Sequence, residues 1–570
     1  MKRLLPFLPV LLAAAGVCTQ AVAADALAPA AAAARSPSPQ AAAQTRGPVR
    51  FRVIPDAGAA GNASVTRPLE EALKNLGARP AGIDDVNNWS ERLTAALRQG
   101  GFPVGQVLMT QSDWDRATRQ EGAEDYVFSV YPGHISGIEL KNTSRVADAR
   151  LLRLITRALC SADTPDRNGL CLLQTSRLER ATQLLQDVPG LGMAGAPKFS
   201  AGRETGDVQV EFGLESSGEP IQVGAVVDNN GIEATGRARA GVSLSGNNLF
   251  HAGDAYVLSL MDTQKGTRTG VASASMPVGY SGLRLLGSVT RQQYTINSIT
   301  PIAGVSTVVR AGVQYPFTRG LDSNVWGGLW LLHNRTGSSL SEYSQHFRST
   351  INSAQLSIQA DNGDRAAQLR TNQWNARSAL TFGNNSNNDK EQGTEAAWRA
   401  GNYAKLEGSA FGKYGLDKSG DFFVTGRISG QIASRNLDFS EKLVLGGPDA
   451  VRAYRADEGS ADNGAVINLG LYRRIPVAAG HQLQIGGFAD VGYGRVNHSP
   501  WEGWESSYAN MPNVKNTRVL SGYGLSLDWL TPVGVTLSFT VARPFGFSPA
   551  SWVKPGEKSN QYWLTATWSR

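Results

Sequence analysis

Alternating apolar and polar positions dominate the C-terminal part of the chain. Two runs place an apolar residue at every second position, between small or polar residues: Val533, Val535, Leu537, Phe539 and Val541, and Tyr523, Leu525, Leu527 and Trp529. Successive side chains of a strand point to opposite faces, so the pattern predicts strands with one apolar face. Such faces suit a transmembrane strand between lipid and a wet lumen. At about 22 residues for each strand with its loop, residues 217–570 accommodate a sixteen-stranded antiparallel β-barrel.

Residues 49–216 have a different pattern, in which short strands alternate with helices. The first half, residues 49–133, predicts a helix at 84–99 with Trp89, Leu93, Ala96 and Leu97 on one face, and strands at 49–54, 105–109 and 126–131. The second half, residues 134–216, predicts helices at 147–159 and 175–186 and strands at 134–140, 192–201 and 207–214. We assign both halves the order β-α-α-β-β, which predicts two successive α+β modules before the barrel.

The N-terminus predicts a cleaved signal peptide over residues 1–23. Lys2 and Arg3 precede an apolar run at residues 4–17, and the small residues Ala21 and Ala23 mark a cleavage site before Ala24. Residues 24–48 are rich in Ala and Pro and predict a linker. After the signal peptide no apolar run approaches the roughly 18 residues of a membrane-spanning helix, so a membrane location requires a barrel.

Composition agrees with a chain of many strands and turns. With 63 glycines in 570 residues and only 18% charged residues, it suits turns and strands better than packed helices. The net charge of +7 is mild, and no basic cluster is interleaved with aromatic residues, so we predict no nucleic-acid binding. Cys18 leaves with the signal peptide, and the remaining pair, Cys160 and Cys171, predicts a disulfide in an oxidising compartment. A metal site would need further ligands, and His134 is remote in sequence.

The sequence carries no recognisable catalytic motif. It lacks a G-x-S-x-G elbow, a Walker loop, an H-E-x-x-H helix and a dinucleotide glycine fingerprint. Its six histidines are scattered without metal-ligand spacing. We therefore predict no enzymatic activity, no metal site and no cofactor.

Two stretches near the C-terminus carry the candidate chemistry. The first is a loop that begins at residue 446 and ends in Val451, Arg452, Ala453 and Tyr454. The second is a strand in which alternation puts three side chains on the lumen face: Phe488, Asp490 and Gly492. A carboxylate at membrane depth is costly unless it meets a cation or water. Asp490 therefore needs a partner, and Arg452 in the preceding loop is the natural candidate.

These stretches resemble the V-R-G-Y/F loop motif and the F-x-D-x-G strand motif of two-partner secretion transporters, the TpsB family. Ala453 stands at the glycine of the loop motif and adds one methyl group at the loop tip. Similar short runs occur, in the family's order, at residues 227–231, 247–254, 276–279, 315–319 and 443–447. The two modules resemble POTRA modules, and residues 173–190 are similar to the family's helix that ends in L-x-x-L-P-G.

The resemblance implies a fold and a function. Two POTRA modules in the periplasm would precede an outer-membrane barrel of a Gram-negative bacterium, with a loop near residues 446–463 inserted in the lumen and tied to Asp490 by Arg452. An unfolded exoprotein of the adhesin or haemolysin type would dock on the modules and pass to the cell surface without nucleotide hydrolysis. In this family an N-terminal helix can lie in the pore, so residues 24–48 are either a tail or a plug segment.

The resemblance also implies further partners and leaves two alternatives. Outer-membrane lipid would surround the barrel, and periplasmic chaperones and the outer-membrane assembly machinery would act during its biogenesis. That machinery would read the last alternating run, residues 562–568, which Ser569 and Arg570 extend beyond the usual terminal aromatic residue. The alternatives are an insertase of the same superfamily, which generally carries three or more modules, and a passive pore, which lacks a receptor of this size. The number of modules favours secretion.

Overall fold

The computed structural model describes residues 48–77, 79–119, 125–160, 171–296, 301–340, 345–368, 372–387, 395–456, 458–505, 515–545 and 560–570. The predicted signal peptide, its cleavage site at Ala23 and Ala24, and residues 24–47 of the predicted linker or plug lie outside this range. No helix within the range is long and apolar enough to cross a membrane.

The first module is a three-stranded sheet packed against helices. Its strands pair in the order β1-β3-β2, and its elements are β1 (Val49–Val53), α1 (Gly58–Leu73), α2 (Ile83–Gln99), β2 (Gln106–Leu108), α3 (Gln111–Ala117) and β3 (Tyr126–Tyr131). Leu93 and Leu97 of α2 are fully buried because the helix places apolar residues on one face. The short helix α3, capped by Thr110, is absent from the order predicted for this half. Seven residues are too few for a helical period to show in the sequence.

The second module repeats the strand and helix pattern. Its elements are β4 (His134–Asn142), α4 (Asp148–Leu159), α5 (Thr175–Gln186), β5 (Leu191–Met193), β6 (Lys198–Ala201) and β7 (Asp207–Ser216). β4 pairs with β7 in parallel, and β5 and β6 both pair with β7 antiparallel. The single strand predicted at 192–201 is therefore two strands. The chain bends between them at Gly195 and Pro197, and a proline has no N–H to donate to a sheet.

The rest of the chain forms a closed antiparallel barrel of sixteen strands, which confirms the predicted fold class. Its first eight strands are β8 (Ile221–Asp228), β9 (Arg239–Asn247), β10 (Ala255–Thr263), β11 (Arg268–Pro277), β12 (Arg284–Ile296), β13 (Ile302–Arg319), β14 (Asn324–Leu340) and β15 (Gln345–Asp361). After a short helix, α6 (Gly363–Gln368), follow β16 (Gln373–Asn387), β17 (Gly401–Gly415) and β18 (Phe422–Ala433). A two-stranded hairpin, β19 (Leu443–Val444) and β20 (Ser460–Ala461), precedes β21 (Asn463–Pro476), β22 (Gln482–Arg495), β23 (Thr517–Leu530), β24 (Val535–Pro544) and β25 (Gln561–Ser569).

Pairing of the last strand, β25, with the first, β8, closes the barrel. Ser569 pairs with Gly224, and Arg570 exchanges two backbone hydrogen bonds with Val223, at 2.9 and 3.0 Å. The two residues after the terminal aromatic thus lengthen the closing seam. A closed barrel leaves no strand edge unpaired, which a chain surrounded by lipid requires.

The predicted alternation holds along the barrel wall. Apolar side chains such as Leu331, Ile432 and Leu525 are exposed on the outer face, whereas small, polar and charged residues face the lumen. The strand predicted to include Val533 starts later than its alternating run: β24 begins at Val535. Gly534, with φ of +81°, belongs to the preceding turn.

Candidate functional site

A long connection between β18 and β21 enters the barrel. We call its residues 434–456 and 458–462 the lumen segment. Pairing of β19 with β20 makes its inner part a hairpin, and the backbone folds back at the tip, where Val451 N donates to Leu445 O at 3.0 Å. The tip needs glycine, because a Cβ on Gly446 would lie 2.4 Å from the carbonyl oxygen of Arg455. Gly447 adopts a φ of +116°, which favours glycine.

The tip is attached to the wall by an ion pair between Arg452 and Asp490. Arg452 donates from Nη2 to Asp490 Oδ1 at 2.7 Å and from Nε to Oδ2 at 2.9 Å, so the guanidinium and the carboxylate face each other fork to fork. The backbone N–H of Arg452 donates to the same Oδ2 at 3.0 Å. Asp490 on β22 has no solvent exposure. The partner predicted for this carboxylate is therefore in contact with it.

Side chains from other strands complete the surroundings of the pair. Asn468 lies opposite Asp490 on β21 and donates to Asp490 Oδ1 at 2.9 Å and to the carbonyl oxygen of Ala450 at 2.8 Å. Trp563 on β25 donates from Nε1 to the carbonyl oxygen of Arg452 at 2.7 Å. The guanidinium carbon of Arg452 lies 3.4 Å from the centre of the Phe488 ring, a cation–π contact. The tip is thus held through both backbone and side chain.

Small residues on the strands make room for the tip. A Cβ on Gly492 would lie 2.9 Å from a methyl carbon of Val451, and a Cβ on Gly522 would lie 2.2 Å from the Cβ of Ala453. The alanine at the family's glycine position is therefore accommodated by a glycine on β23. Tyr454 is buried beside the same strands. The structure brings all seven residues predicted for the loop and strand together: Val451, Arg452, Ala453, Tyr454, Phe488, Asp490 and Gly492.

Sequence reasoning missed several residues of this site. One of them is Tyr472, whose hydroxyl accepts from Arg452 Nη1 at 3.5 Å. Asn468 and Tyr472 alternate on β21 with the exposed apolar residues Ile467, Leu469 and Leu471. That alternation would have placed both polar side chains on the lumen face. Gly522 and Trp563 have the same signal on their strands, but no sequence pattern shows that they meet the loop.

The second module is attached to the barrel by a separate charged contact. Arg319 at the end of β13 donates to both carboxylate oxygens of Asp187 at 2.7 and 2.9 Å, and its side chain is almost fully buried. Arg180 on α5 donates to the carbonyl oxygens of Pro316 and Ser281 at 3.0 and 3.1 Å. Two family-like runs, the L-x-x-L-P-G helix end and residues 315–319, therefore meet at the end of the barrel that faces the modules, here called the module end.

A turn at residues 248–254 adds to this contact. Asn248 donates to the carbonyl oxygen of Pro189, and a Cβ on Gly190 would lie 2.1 Å from Asn247 Oδ1. Burial acts to raise the pKa of Asp254, but hydrogen bonds from the backbone N–H groups of His251 and Phe250, the Tyr256 hydroxyl and the backbone N–H of Leu249 outweigh it and lower that pKa. The ionised Asp254 carboxylate thus stabilises the turn that contacts the second module.

The predicted cysteine pair forms a disulfide away from the lumen. Cys160 at the end of α4 is bonded to Cys171, and both are buried in the core of the second module. Among the described residues, no cluster of His, Cys, Asp or Glu has the arrangement of a metal site.

Comparison with known proteins agrees with this architecture. The family described as haemolysin secretion/activation protein ShlB/FhaC/HecB matches residues 206–507. The heme/hemopexin transporter protein HuxB of Haemophilus influenzae strain 86-028NP is 22% identical over 513 residues, which are 88% of this chain and 84% of the relative. HuxB of strain ATCC 51907 / DSM 11121 / KW20 / Rd is 23% identical over 514 residues, with the same shares.

Two solved structures share the fold. CdiB from Escherichia coli superposes with a TM-score of 0.70 at 16% identity, over 94% of this chain and 93% of that one. CdiB from Acinetobacter baumannii has a TM-score of 0.64 at 16% identity, over 92% of this chain and 90% of that one.

These findings confirm the resemblance to two-partner secretion transporters, the outer-membrane location and the large secreted partner that the family implies. The family consists of transporters rather than enzymes, and neither the insertase nor the passive pore is favoured. Because the family match covers more than half of its length, the chain belongs to the haemolysin secretion/activation protein family ShlB/FhaC/HecB, the outer-membrane channels of two-partner secretion.

Proposed function

We propose that the pair of Arg452 and Asp490, here called the inner latch, holds the lumen segment against the barrel wall and controls export of the partner protein. The observation that carries the proposal is the fork-to-fork contact at 2.7 and 2.9 Å on a carboxylate without solvent exposure. A side chain so placed positions the loop tip in the path that an exported chain takes through the lumen.

A buried ion pair can hold the loop tip in one position and still separate during export. Desolvation of the two charges offsets much of their attraction, so an intact pair adds little net stability over apolar packing. Removing one partner, in contrast, costs about 3–5 kcal/mol, because the remaining buried charge is unpaired. The pair therefore selects one loop position strongly, yet hydration of both charges in a wetter lumen lets it separate.

The modules are proposed as the receptor for the unfolded partner. In the described residues β4 pairs along its length only with β7, so its other edge presents unpaired backbone groups, apart from a bridge at His134. An extended chain can add to such an edge by backbone hydrogen bonds that tolerate many sequences. Export would need no nucleotide, since folding of the partner at the cell surface supplies direction. Periplasmic chaperones and the outer-membrane assembly machinery would serve only the channel's own biogenesis.

The inner latch is tested by Arg452→Ala and Asp490→Ala. We expect either variant to lower the amount of secreted partner at least about tenfold, the effect of 1.4 kcal/mol, while the barrel still inserts. Arg452→Lys should export poorly too, because an ammonium cannot make the bidentate contact. Secreted partner is measured in the culture supernatant, and insertion by the heat-dependent gel shift of a folded barrel.

The matched control is Arg474→Ala, which removes an ion pair with Asp421 at the module end, 3.7 Å between Nη1 and Oδ1. It should export at the parental level. Parental export by both inner-latch variants would exclude the proposed role.

A further inference from the structure

The outer part of the lumen segment, residues 434–442, crosses the barrel at the end opposite the modules, here called the outer end. Its residues contact lumen-facing side chains of β14, β15 and β17. Asn334 donates to Ser440 Oγ at 3.1 Å, and Lys405 donates to Glu441 Oε2 at 2.7 Å. Ser349 lies 3.4 Å from Asp438. The tip, by contrast, is held by β21, β22 and β25. Because β14 and β15 lie across the barrel from β24 and β25, the segment reaches from one wall to the other.

A second ion pair lies where this outer part joins the hairpin. Lys442, just before β19, has its Nζ 2.9 Å from Oδ1 of Asp462, just after β20. The two side chains are 1% and 0% exposed, so this pair is more deeply buried than the inner latch.

Both charged groups also have hydrogen-bond partners on neighbouring segments. Besides Asp462, the Lys442 ammonium donates to the carbonyl oxygen of Val496 and lies 3.4 Å from Asn497 Oδ1. The Asp462 carboxylate accepts from the backbone N–H groups of Leu437 at 3.1 Å and His498 at 2.8 Å. The three N–H donors of the Lys442 ammonium and the acceptor sites of the Asp462 carboxylate thus have protein partners without a solvent contact. The pair joins both ends of the hairpin to the loop after β22.

Further contacts extend this junction into a cap over the lumen. We call residues 395–400, 434–442 and 496–505 the outer cap. Asn436 donates to the carbonyl oxygen of Ser499 at 2.9 Å and accepts from Ser499 N at 2.8 Å. Trp398 stacks on Trp501 with ring centres 5.9 Å apart. Three loops at the outer end are therefore joined around Lys442 and Asp462.

We propose that Lys442 and Asp462 form an outer latch that keeps the outer cap closed and must separate while the partner protein passes. The inference rests on the proposed role of the lumen segment in export. A wholly desolvated pair holds one geometry strongly, since either charge alone would be buried without a counter-charge. Once the cap moves and water reaches the two groups, hydration replaces their attraction, so the closed and open arrangements are both accessible.

Ion conductance tests the closed state. Purified full-length parent and Lys442→Ala are compared in planar lipid bilayers, with Lys265→Ala as the control. Lys265 pairs with Glu233 at 3.5 Å, also at the outer end, but both are substantially exposed. Lys442→Ala should raise the frequency of open-channel events at least about tenfold, because the unpaired Asp462 draws water into the cap. The control should match the parent. Parental conductance of a folded Lys442→Ala barrel would overturn the proposal.

A cross-link tests the opening step without removing either charge. In Asn436→Cys/Ser499→Cys the two cap loops can be joined by oxidation. We expect the oxidised variant to stop exporting the partner and a reductant to restore export. Each single-cysteine variant, and the parent with the same reductant, should export normally. Undiminished export by the cross-linked protein would rule out the outer latch, and if Arg452→Ala still lost export the inner latch would stand alone.

Discussion

At the scale of single residues, a buried carboxylate organises the site. Asp490 accepts hydrogen bonds from the backbone and side chain of Arg452 and from Asn468, so each of its oxygens is satisfied by groups on the lumen side. Charge-assisted contacts of this kind are stronger than neutral ones and are directional. The loop tip is therefore positioned to within the tolerance of a hydrogen bond rather than by apolar packing alone.

The close approach of Ala453 to β23 predicts the effect of a methyl group at Gly522. Gly522→Ala would put two methyl carbons about 2.2 Å apart, which must push the tip away from the wall. Overpacking of this kind costs about 1–3 kcal/mol, so export should fall several-fold to a hundredfold. Gly522→Ala/Ala453→Gly should recover most of it, because the nearest atom of residue 453 would then be its Cα at 3.5 Å.

Secreted partner is measured for the parent, both single variants and the double variant. Ala453→Gly alone restores the family's usual motif and is the control, with export close to the parent. Equal export by Gly522→Ala and its double variant would show that the contact does not position the tip.

At the scale of elements, the second module depends on a covalent tie between its helices. The disulfide joins the end of α4 to the segment that enters α5, with a sequence separation of 11 residues. α5 carries Arg180, and its C-terminal cap residue Asp187 pairs with Arg319. The contact between the second module and the barrel therefore depends on the position of α5. The disulfide therefore supports the element through which the module and the barrel are connected.

Loss of that tie has a measurable cost. Cys160→Ala/Cys171→Ala should lower the free energy of unfolding of the second module by about 2–3 kcal/mol, as expected for a cross-link that closes a short loop. Among the described residues, α1 to α5 of the modules supply most of the helix, so the far-UV circular dichroism of the full chain in urea reports on them.

A lower urea midpoint for the helical signal, with an unchanged heat-dependent gel shift of the barrel, is the expected result. The parent under reducing conditions is the matched comparison and should behave like the variant. A midpoint equal to that of the oxidised parent would show that the module core suffices without the disulfide.

At the scale of the whole molecule, the modules and the channel are joined at one end and the lumen is occupied from the other. Arg319 and Asp187 connect the modules to the barrel, while the lumen segment begins and ends at the outer end. A partner bound by the modules, as proposed, would therefore lie next to the channel opening. Its path would meet the loop tip before the outer cap.

Deletion of the gene in its bacterium tests the whole assignment. Quantitative mass spectrometry of supernatant, cell surface and outer membrane should show loss of one or two large secreted proteins and unchanged levels of other barrels. The native chain should restore their export. A chain without residues 49–133 should insert but fail to restore it, because the proposed receptor is incomplete. Broad depletion of outer-membrane barrels would instead indicate an insertase.

Much of this architecture could be predicted because it rests on local patterns. Alternation indicated the barrel and put Asp490 and Phe488 on the lumen face, and the cost of a buried carboxylate pointed to Arg452. Local patterns failed where an element was short or interrupted. Helix α3 has too few turns to show a period, and the bend at Gly195 and Pro197 divides the run that was predicted as one strand.

The sequence by itself determined which face of each barrel strand is apolar and which charges could not remain alone. Only the tertiary structure decided which of those faces meet. Gly522 faces Ala453, Trp563 reaches Arg452, and Lys442 pairs with Asp462 because barrel closure and strand register bring distant segments together. Alternation is a property of neighbouring residues, whereas closure and register depend on all sixteen strands at once.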